Sequence, residues 1–344
     1  GNLETSGHVL SVNAIRVDTS SSIGTFGNWL LDPLDIHINS TGPNSSSSTA
    51  SGTTTIVGNG SVDGINSYIA HTTIESALAS SNVTIQSTSG ANIVSQGDGT
   101  ITYNGSARTL TLNSSGNISF EYAPTYPGGI SGTNLSVVLQ ANGSITSTAA
   151  INIGGTLSAY ATGNFTQTST GPITANTLVL GSNDGGTSKP AVTLTGATNY
   201  LTNLEANNIS SLSLTNGQAL SVNSNGLSVA GPVTLNTTGN LTFNGGMNFS
   251  ATSTLTSSND ILVYADITKN AGADATLTFK AARHLSFGSA VDITSTSNKL
   301  NLVFNADTDK SGDGFIKYSG PSINTNGGYL QFGIGDQAVL NGST

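Results

Sequence analysis

The sequence contains no cysteine, which excludes disulfide bonds, thiol catalysis and zinc sites with cysteine ligands. Charged residues are also scarce: they make up 8% of the chain, against about 25% in ordinary globular proteins. Helices that face water need Lys, Glu, Arg and Gln, so this chain must cover its surface mainly with Ser, Thr and Asn. Those residues suit strands and turns.

The few charges form no basic run or stripe, and the formal net charge is −9. This distribution argues against a nucleic-acid surface and against an anionic membrane as partner. The sequence has no run of eighteen apolar residues, and its first residues lack a basic segment followed by an apolar run. We therefore expect no transmembrane helix, no membrane insertion and no signal peptide, and we expect the chain to be a fragment or processed product of something longer.

The residues that are abundant indicate a folded, all-β protein. Hydrophobic residues make up 35% of the chain, and Val, Ile and Leu recur throughout it, which is unlike the composition of disordered chains. At 344 residues the length allows two domains or one large repetitive domain. The even composition favours the repetitive one.

Short strands with inward aliphatics and outward Thr or Ser dominate the chain from residue 82 onward, separated by Gly and Asn. They are predicted at 82–85, 110–112, 117–120, 135–139, 151–153, 178–180, 192–194, 212–214, 233–235, 241–243, 261–263, 277–279, 302–304 and 329–332. Gly-Asn pairs recur at Gly116-Asn117, Gly163-Asn164 and Gly239-Asn240, and they predict corners with left-handed backbone and stacked Asn side chains.

This strand density predicts a parallel β-helix, a β-solenoid with loop excursions. A coil takes roughly twenty residues or slightly more, so about fifteen coils would fit this length. No coil buries enough apolar surface to be stable alone, so neighbours must complete it. The alternatives are a string of β-sandwich domains and a propeller; the single Trp counts against sandwiches, which usually bury one Trp each.

Three regions follow from the pattern. Residues 1–38 read as coils, residues 39–81 as a loop-rich junction, and residues 82–344 as a repetitive β-helix shaft. In the junction, residues 40–60 are Ser/Thr/Gly-rich and predict a mobile loop. Residues 71–80 carry apolar side chains at helical spacing and predict a helix of about two turns.

Two short sequence segments near the start resemble those of a known protein family. Residues 2–8 read Asn-Leu-Glu-Thr-Ser-Gly-His, and residues 29–36 read Trp-Leu-Leu-Asp-Pro-Leu-Asp-Ile. They resemble the signature near the end of the secretion-domain region in two-partner-secretion exoproteins, the filamentous-haemagglutinin-like and high-molecular-weight-adhesin-like proteins of Gram-negative bacteria. Residues 71–87 resemble the helix-then-strand segment that follows it in that family. The rest of the chain matches mainly as Asn/Thr/Ser-rich coils.

The resemblance implies a secreted, right-handed β-helix that is exported through an outer-membrane two-partner-secretion transporter and displayed on or shed from the cell surface. The usual roles in this family are adhesion, aggregation and biofilm formation, through a glycan or protein receptor, and sometimes contact-dependent toxin delivery. In this reading residues 1–38 are the end of a secretion-domain-like region. The family's export domain is not visible in this sequence, and neither is a toxin-like terminal domain.

One segment has the spacing of metal ligands. Residues 307–314 read Asp-Thr-Asp-Lys-Ser-Gly-Asp-Gly, with oxygens at alternate positions and Gly at the sixth, as in the first half of a calcium loop. The weak calcium ligand candidates are Asp307, Asp309 and Asp313. The twelfth position holds Tyr318 instead of an acidic residue, so we favour a polar turn between coils.

No catalytic pattern accompanies the four histidines, His8, His37, His71 and His284, because they are scattered and no nucleophile elbow is present. We predict that the protein is not an enzyme and that it has no resident cofactor. A lyase or hydrolase acting on acidic sugars remains a remote alternative, since two carboxylates could meet across coils.

Other polar patterns are what this composition produces by chance. Asn-x-Ser/Thr triplets, among them those at Asn82, Asn117, Asn164 and Asn240, permit glycosylation without indicating it. Thr-x-Thr pairs are common on the outward faces of strands, so they do not indicate a particular function.

The leading hypothesis is an extracellular adhesin shaft, a stiff spacer and contact surface. The alternative is a self-assembling filament subunit whose coil edges meet end to end, since exposed strand edges are natural templates for pairing.

Overall fold

The chain folds as a right-handed parallel β-helix of about ten turns, which confirms the fold predicted from its short alternating strands. The computed structural model describes residues 3–6, 12–15, 28–32, 35–40, 54–56, 67–87, 90–125, 128–320, 322–334 and 340–343. The chain divides into two compact units, residues 1–176 and 177–344.

The strands of the first unit are short and lie close together in sequence. They are β1 (Leu3–Ser6), β2 (Val12–Ile15), β3 (Asn28–Asp32), β4 (Ile36–Asn39), β5 (Thr54–Ile56), β6 (Ser67–Ala70), β7 (Asn82–Gln86), β8 (Ile93–Ser95), β9 (Ile101–Thr102), β10 (Arg108–Ser114), β11 (Ile118–Phe120), β12 (Ile130–Gly132), β13 (Leu135–Ala141), β14 (Ile145–Ser147), β15 (Ile151–Ile153), β16 (Thr156–Ala161) and β17 (Phe165–Gln167). The strand β18 (Ile173–Ser182) begins in this unit. The helix α1 spans His71–Leu78.

Parallel pairing stacks these strands into three faces. One face follows the order β1, β3, β7, β10, β13, β16; a second follows β6, β4, β8, β11, β14, β17; a third follows β9, β12, β15, β18. The pairing of Val83 with Leu110, and of Leu110 with Val137, places aliphatics directly above one another. All three are fully buried. Each such side chain contributes about 1.5–3 kcal/mol on burial.

The predicted junction, residues 39–81, is an excursion between adjacent coils. On one side β4 pairs with β8 of the next coil, and on the other side it pairs with β6 from within the excursion. The helix α1 begins directly after β6, within the predicted segment 71–80, so the helix prediction is confirmed.

The helix α1 packs beside β9, the first described strand of the third face. Its residues Ile74, Ala77 and Leu78 are buried, and the Glu75 carboxylate accepts a hydrogen bond from the backbone N–H of Thr102 at 2.7 Å. At its C-terminal end Arg108 donates from Nε to the Leu78 carbonyl at 3.0 Å, where a cation suits the helix dipole. The helix therefore covers part of the core that lacks a preceding coil.

The loop predicted for residues 40–60 lies largely outside the described residues. Within it, Thr54–Ile56 form β5, which runs antiparallel to β2. The loop prediction is therefore wrong for these residues. The cause is local β-propensity: the run Thr-Thr-Ile supplies three β-branched side chains in a stretch otherwise rich in Ser and Gly.

The second unit contains longer strands as well as short ones. Its strands are β19 (Ala191–Ile209), β20 (Ser211–Asn216), β21 (Leu220–Val229), β22 (Val233–Thr237), β23 (Leu241–Phe243), β24 (Met247–Phe249), β25 (Ser253–Ser257), β26 (Ile261–Val263), β27 (Ile267–Lys269), β28 (Ala275–Ala281), β29 (Leu285–Phe287), β30 (Ile293–Ser295), β31 (Leu300–Ala306), β32 (Ile316–Tyr318), β33 (Ile323–Asn324), β34 (Tyr329–Ile334) and β35 (Leu340–Ser343).

Three stacked faces recur in this unit. The first part of β19 starts the series β20, β22, β25, β28, β31, β34, while the later part of β19 pairs with β21. From β21, one series continues through β23, β26, β29 and β32, and another through β24, β27, β30 and β33. The last strand, β35, runs antiparallel to β34.

Phenylalanines replace aliphatics in the core near the end of this unit. The rings of Phe279 and Phe304 pack edge to face with centroids 5.4 Å apart, and Phe287 lies 5.0 Å from Phe304. All three rings are buried. Such aromatic pairs add about 0.5–1.5 kcal/mol beyond the burial of their area.

The coils are longer and fewer than predicted. Equivalent positions are 20 residues apart at Ser144 and Asn164, but 27 apart at Ser87 and Ser114 and 28 apart at Asn301 and Tyr329. Turns between the strands absorb the extra residues, and the junction adds length between two coils. The prediction of about fifteen coils is therefore wrong, because it assumed one short repeat throughout.

The Gly-Asn corners need glycine for two different reasons. Gly239 has a φ of 102°, as predicted. Gly116 and Gly163 do not adopt positive φ, so the prediction of left-handed backbone is wrong there. A Cβ at Gly116 would lie 2.6 Å from the Gly90 carbonyl oxygen, and one at Gly163 would collide with the Ser144 hydroxyl. At these two corners glycine permits close approach of neighbouring coils.

Candidate functional site

A ladder of polar side chains runs along one corner of the first unit. In it, a side-chain oxygen accepts a hydrogen bond from the backbone N–H of the equivalent residue one coil further on. Asn92 donates to Asp35 at 2.5 Å, Asn117 to Asn92 at 2.8 Å, Ser144 to Asn117 at 2.7 Å and Asn164 to Ser144 at 3.2 Å. The predicted stacking of corner Asn is confirmed for Asn92 and Asn117. These side chains satisfy backbone groups that the turns leave unpaired.

The second unit has a charged version of the same ladder. The Asp260 carboxylate accepts the backbone N–H of His284 at 3.1 Å, and it binds the Arg283 guanidinium at 2.9 Å through Nε and 2.6 Å through Nη2. The Arg283 hydrogen bonds hold the pKa of Asp260 below its usual range, although burial of the carboxyl opposes this. The same contact raises the pKa of Arg283. The pair fixes one coil to the next.

The segment predicted as a calcium loop or polar turn is a turn that uses its own acidic group. The Asp307 carboxylate accepts hydrogen bonds from the Ser311 hydroxyl at 3.1 Å and the Gly312 N–H at 3.0 Å. Asp307 and Lys310 have φ values of 53° and 62°, so the chain reverses tightly. Internal donors thus occupy the carboxylate that would be the first calcium ligand.

No group of three or more His, Asp or Glu side chains close enough to hold a metal ion exists in the described part of the chain. The structure therefore does not bring Asp307, Asp309 and Asp313 into one metal centre. Asp309 accepts the Ser311 N–H at 3.2 Å. The alternating oxygen-bearing residues, which motivated the calcium hypothesis, form hydrogen bonds with one another within the turn.

The described histidines lie in separate environments, and His8 lies outside the described residues. His37 stacks on Tyr68, with ring centroids 5.1 Å apart. His284 stacks on Phe315 at 4.0 Å, and Nδ1 of His71 lies 2.9 Å from the Glu75 carboxylate. None of these contacts places a histidine beside a serine nucleophile and an orienting carboxylate, the arrangement of a hydrolytic triad.

Asp266 and Asp292 lie at equivalent positions on adjacent coils, directly before the paired residues Ile267 and Ile293. Asp266 accepts the backbone N–H of Asp292 at 2.9 Å, and Asp292 in turn accepts the Ser322 hydroxyl at 2.6 Å. Nearby, burial and the negative charges of Asp292 and Asp266 raise the pKa of Tyr318. The Tyr318 hydroxyl donates to the carbonyls of Val291 and Ser322. These bonds make the acidic pair another corner ladder.

Lys269 is a buried cation that the sequence pattern did not reveal. It occupies the last inward position of β27, and its side chain is fully buried. Its ammonium donates to the carbonyls of Ala271 at 3.0 Å and of Ser297. Burial lowers the pKa of Lys269, and Asp274 opposes that shift. In the segment Ile-Thr-Lys the alternation of inward and outward side chains places Lys269 inward. The sequence alone does not show this, because it does not define the bounds of the strand.

An open cleft crosses the outer side of successive coils in the second unit. Its volume is about 340 Å³. The polar side chains that line it are those of Lys189, Asn208, Ser228, Asn248 and Asn270. We call it the amide cleft. The sequence alone did not reveal this row of asparagines. Asparagine is frequent throughout the chain, and only the register of the coils shows which asparagines lie next to each other.

A second cleft of about 280 Å³ lies elsewhere on the same unit, lined by hydroxyl groups and a carboxylate, including Thr215, Thr238, Thr256 and Asp309. It lacks a basic side chain and an aromatic platform. Outward Thr rows such as Thr234 above Thr254 continue beside it, as expected of exposed strand faces.

Most of the glycosylation triplets singled out in the sequence coincide with ladder positions. Asn82 accepts the N–H of Thr109 at 2.9 Å, and Asn117 and Asn240 accept backbone N–H groups from the next coil. The Asn117 amide nitrogen also donates to Asn92 at 3.1 Å. These side chains already serve the stack.

Comparison with protein-family models, curated proteins and solved structures gives no match. No helix among the described residues combines the length and the apolar character that a membrane span requires.

Proposed function

We propose that this chain is a surface-exposed adhesin shaft of a two-partner-secretion exoprotein, which serves as a spacer and contact surface in attachment, aggregation or biofilm formation. The observation that supports it best is the stacking of parallel coils whose outward positions carry uncharged hydroxyl and amide groups. In such a stack each coil is held by its neighbours along its whole perimeter. The resemblance of residues 2–38 and 71–87 to that family supplies the export route, an outer-membrane transporter, and the location, the surface of a Gram-negative cell.

The ladders add to the case for a shaft. Corner hydrogen bonds tie coil to coil at Asn92, Asn117 and Asp260, in addition to the strand pairing. A surface built in this way holds its outward side chains at fixed spacing, which suits repeated weak contacts with a cell surface. Some of the chain's few charged residues, such as Asp35, Asp260 and Asp266, also belong to such ladders.

The filament alternative has less support. It needs strand edges that a second copy can pair with. The edge of β34 that faces away from β31 is already paired with the antiparallel strand β35. End-to-end growth through this face would first require β35 to detach.

The clusters of charged side chains in the described part of the chain do not favour catalysis. The acidic pair Asp266 and Asp292 is bound to backbone and hydroxyl donors, and Lys269 is buried among carbonyls. We therefore propose a binding role without turnover.

Two measurements test the proposal. Antibodies raised against the purified chain should label intact cells of the source bacterium, and beads coated with the chain should attach to cells more than beads coated with albumin. Labelling confined to the cytosol of broken cells would rule out the proposed location. Beads that attach no better than the albumin control would rule out the adhesive role. Ordered polymers in negative-stain micrographs would favour the filament subunit instead.

A further inference from the structure

The amide cleft combines an unoccupied row of hydrogen-bonding groups with one cation. We propose that it binds an oligosaccharide that carries an acidic group, with Asn248 and its neighbours holding hydroxyl groups and Lys189 holding the carboxylate or sulfate. This inference rests on the proposed adhesive function and gives it a ligand class. It assigns the contact surface to one place on the second unit.

The coil register arranges these groups in a line. Ser228 on β21 pairs with Asn248 on β24, and both occupy outward positions. On the next coil β27 pairs with β24, and the lining residue Asn270 directly follows β27. Paired strands lie about 4.8 Å apart, so the polar groups repeat at that interval along the cleft. A ligand that lies across the strands meets a new hydrogen-bonding group at every coil.

These side chains are available, unlike the asparagines of the corner ladders. Asn92, Asn117 and Asn240 hold the corner ladders, and Asn223 donates to Glu205 at 3.0 Å. In contrast, none of the five polar side chains of the amide cleft is hydrogen-bonded or ion-paired to another protein group within the described residues. Their hydrogen-bonding capacity is left to solvent or to a ligand.

Among the described residues Lys189 has no ion-pair partner, although an aspartate lies in the same loop. Asp184 turns its carboxylate toward Ser182 at 2.5 Å and the N–H of Ser188 at 2.9 Å. The ammonium of Lys189 can only donate hydrogen bonds, so it suits an acidic group. A net charge of −9 disfavours densely charged polyanions. The charges therefore fit a sugar chain with sparse acidic groups.

The amide groups suit a polyhydroxylated ligand better than a peptide. An Asn amide both donates and accepts, as a sugar hydroxyl does. Peptides bind mainly at free strand edges or in apolar grooves. Here β24 is paired on both sides, with β21 and with β27, so no edge is free. The apolar lining residues Ile209 and Val229 are almost completely buried, so they offer no pocket for a peptide side chain.

Three variants separate the parts of the site. Asn248→Ala removes a central hydrogen-bonding group and should weaken binding about fivefold, the effect of losing one or two exposed hydrogen bonds. Lys189→Gln should weaken binding of acidic sugars and leave their neutral counterparts unaffected. Asn152→Ala is the matched control, because Asn152 is an exposed outward asparagine on β15 of the first unit.

The test uses the full chain and an immobilised panel of uronate, sulfated and sialylated oligosaccharides, each beside its neutral counterpart, with an extended peptide library as the competing class. We expect the chain to bind at least one acidic oligosaccharide, more weakly after Asn248→Ala and Lys189→Gln and equally after Asn152→Ala. Binding to no sugar, binding to peptides alone, or sugar binding that these variants leave unchanged would overturn the inference.

The outcome is separable from that of the proposed function. If coated beads attach to cells and the cleft variants attach equally well, the adhesive role stands and the amide cleft is not its contact surface. If the chain binds oligosaccharides through the cleft but beads attach to no cell, the cleft stands and the adhesive role fails. Circular dichroism of each variant shows whether a loss of binding reflects a loss of folding.

Discussion

Trp29 and Val83 are direct partners in the parallel pairing of β3 with β7, although residues 30–82 separate them in the chain. Ile36 and Ile93 are partners in the same way on the second face. The coils before and after the junction therefore stack on each other directly. The Trp-Leu-Leu-Asp segment is a strand of the stack, and its backbone pairs with β1 on one side and with β7 on the other.

The helix α1 should contribute to the stability of the first unit. Leu78→Ala removes a fully buried side chain and should lower the free energy of unfolding by about 2–5 kcal/mol, because a cavity remains beside β9. Ser76→Ala is the matched control: Ser76 is exposed, and its hydroxyl bonds only within the helix. Urea unfolding followed by circular dichroism measures both. Equal midpoints would mean that the helix does not close the core.

The corner ladder should contribute about 1 kcal/mol per rung. Asn117→Ala deprives the N–H of Ser144 of its acceptor and should lower the free energy of unfolding by about 0.5–1.5 kcal/mol. Asn152→Ala, at an exposed position outside the ladder, should change it little. Thermal unfolding by calorimetry compares the two. A loss as large for the control as for Asn117→Ala would show that the ladder is not specific.

The ion pair of Asp260 and Arg283 should make stability depend on acid. The pKa of Asp260 is lower in the folded chain than in the unfolded chain, so below about pH 4 the unfolded chain binds more protons. The contribution is thus present above that pH and lost as the pH falls further. Because Arg283 is 43% exposed, we expect only about 1 kcal/mol.

The matching variant for this prediction is Asp260→Asn, which keeps an acceptor for the His284 N–H and removes the charge. Urea unfolding measures the difference in stability between wild type and variant. This difference should shrink as the pH falls from 6 to 3, because the Asp260 carboxylate becomes protonated. A difference that stays constant over this range would show that the charge of Asp260 contributes nothing.

The turn at Asp307 should need its carboxylate but no calcium. Asp307→Ala removes the acceptor for Ser311 and Gly312 and places alanine at a φ of 53°, so it should cost about 1–3 kcal/mol. Asp307→Asn keeps an acceptor and tolerates this φ, so it should lose less. A chelator should leave the melting temperature unchanged. A clear fall on chelation would restore the calcium hypothesis.

Much of the fold was readable from the sequence because the solenoid repeats one local rule. Aliphatics alternate with Thr or Ser, so strands such as Ile151–Ile153 and Leu241–Phe243 are predicted with their observed bounds. The helix at residues 71–78 was readable from its spacing. The number of coils was not, because turns of variable length carry little hydrophobic signal. The extent of β19, beyond the predicted residues 192–194, depends on pairing with two neighbouring strands.

The site residues were less predictable, because their roles depend on register. Asn117 and Asn248 look equivalent in the sequence, yet one holds a corner and the other lies in the amide cleft. Lys269 reads as a surface residue until β27 is aligned with its neighbours. The Asp307 segment was interpreted as a ligand loop or a turn, and the hydrogen bond from the Gly312 N–H to the Asp307 carboxylate could not be foreseen from the spacing. Sequence spacing alone contains none of this information.

The central claim is that the coils stack in parallel and in this register, since the ladders, the cleft and the proposed shaft all depend on it. The chain has no cysteine, so within one molecule an introduced pair has no competing native thiol. Thr84 and Thr111 are outward partners on β7 and β10, at a spacing of about 4.8 Å that a disulfide can bridge. The pair Thr84→Cys and Thr111→Cys should oxidise within one molecule, as mass spectrometry after alkylation would show. The pair Thr84→Cys and Asn113→Cys, offset by two residues, should stay reduced; preferential oxidation of this offset pair would contradict the register.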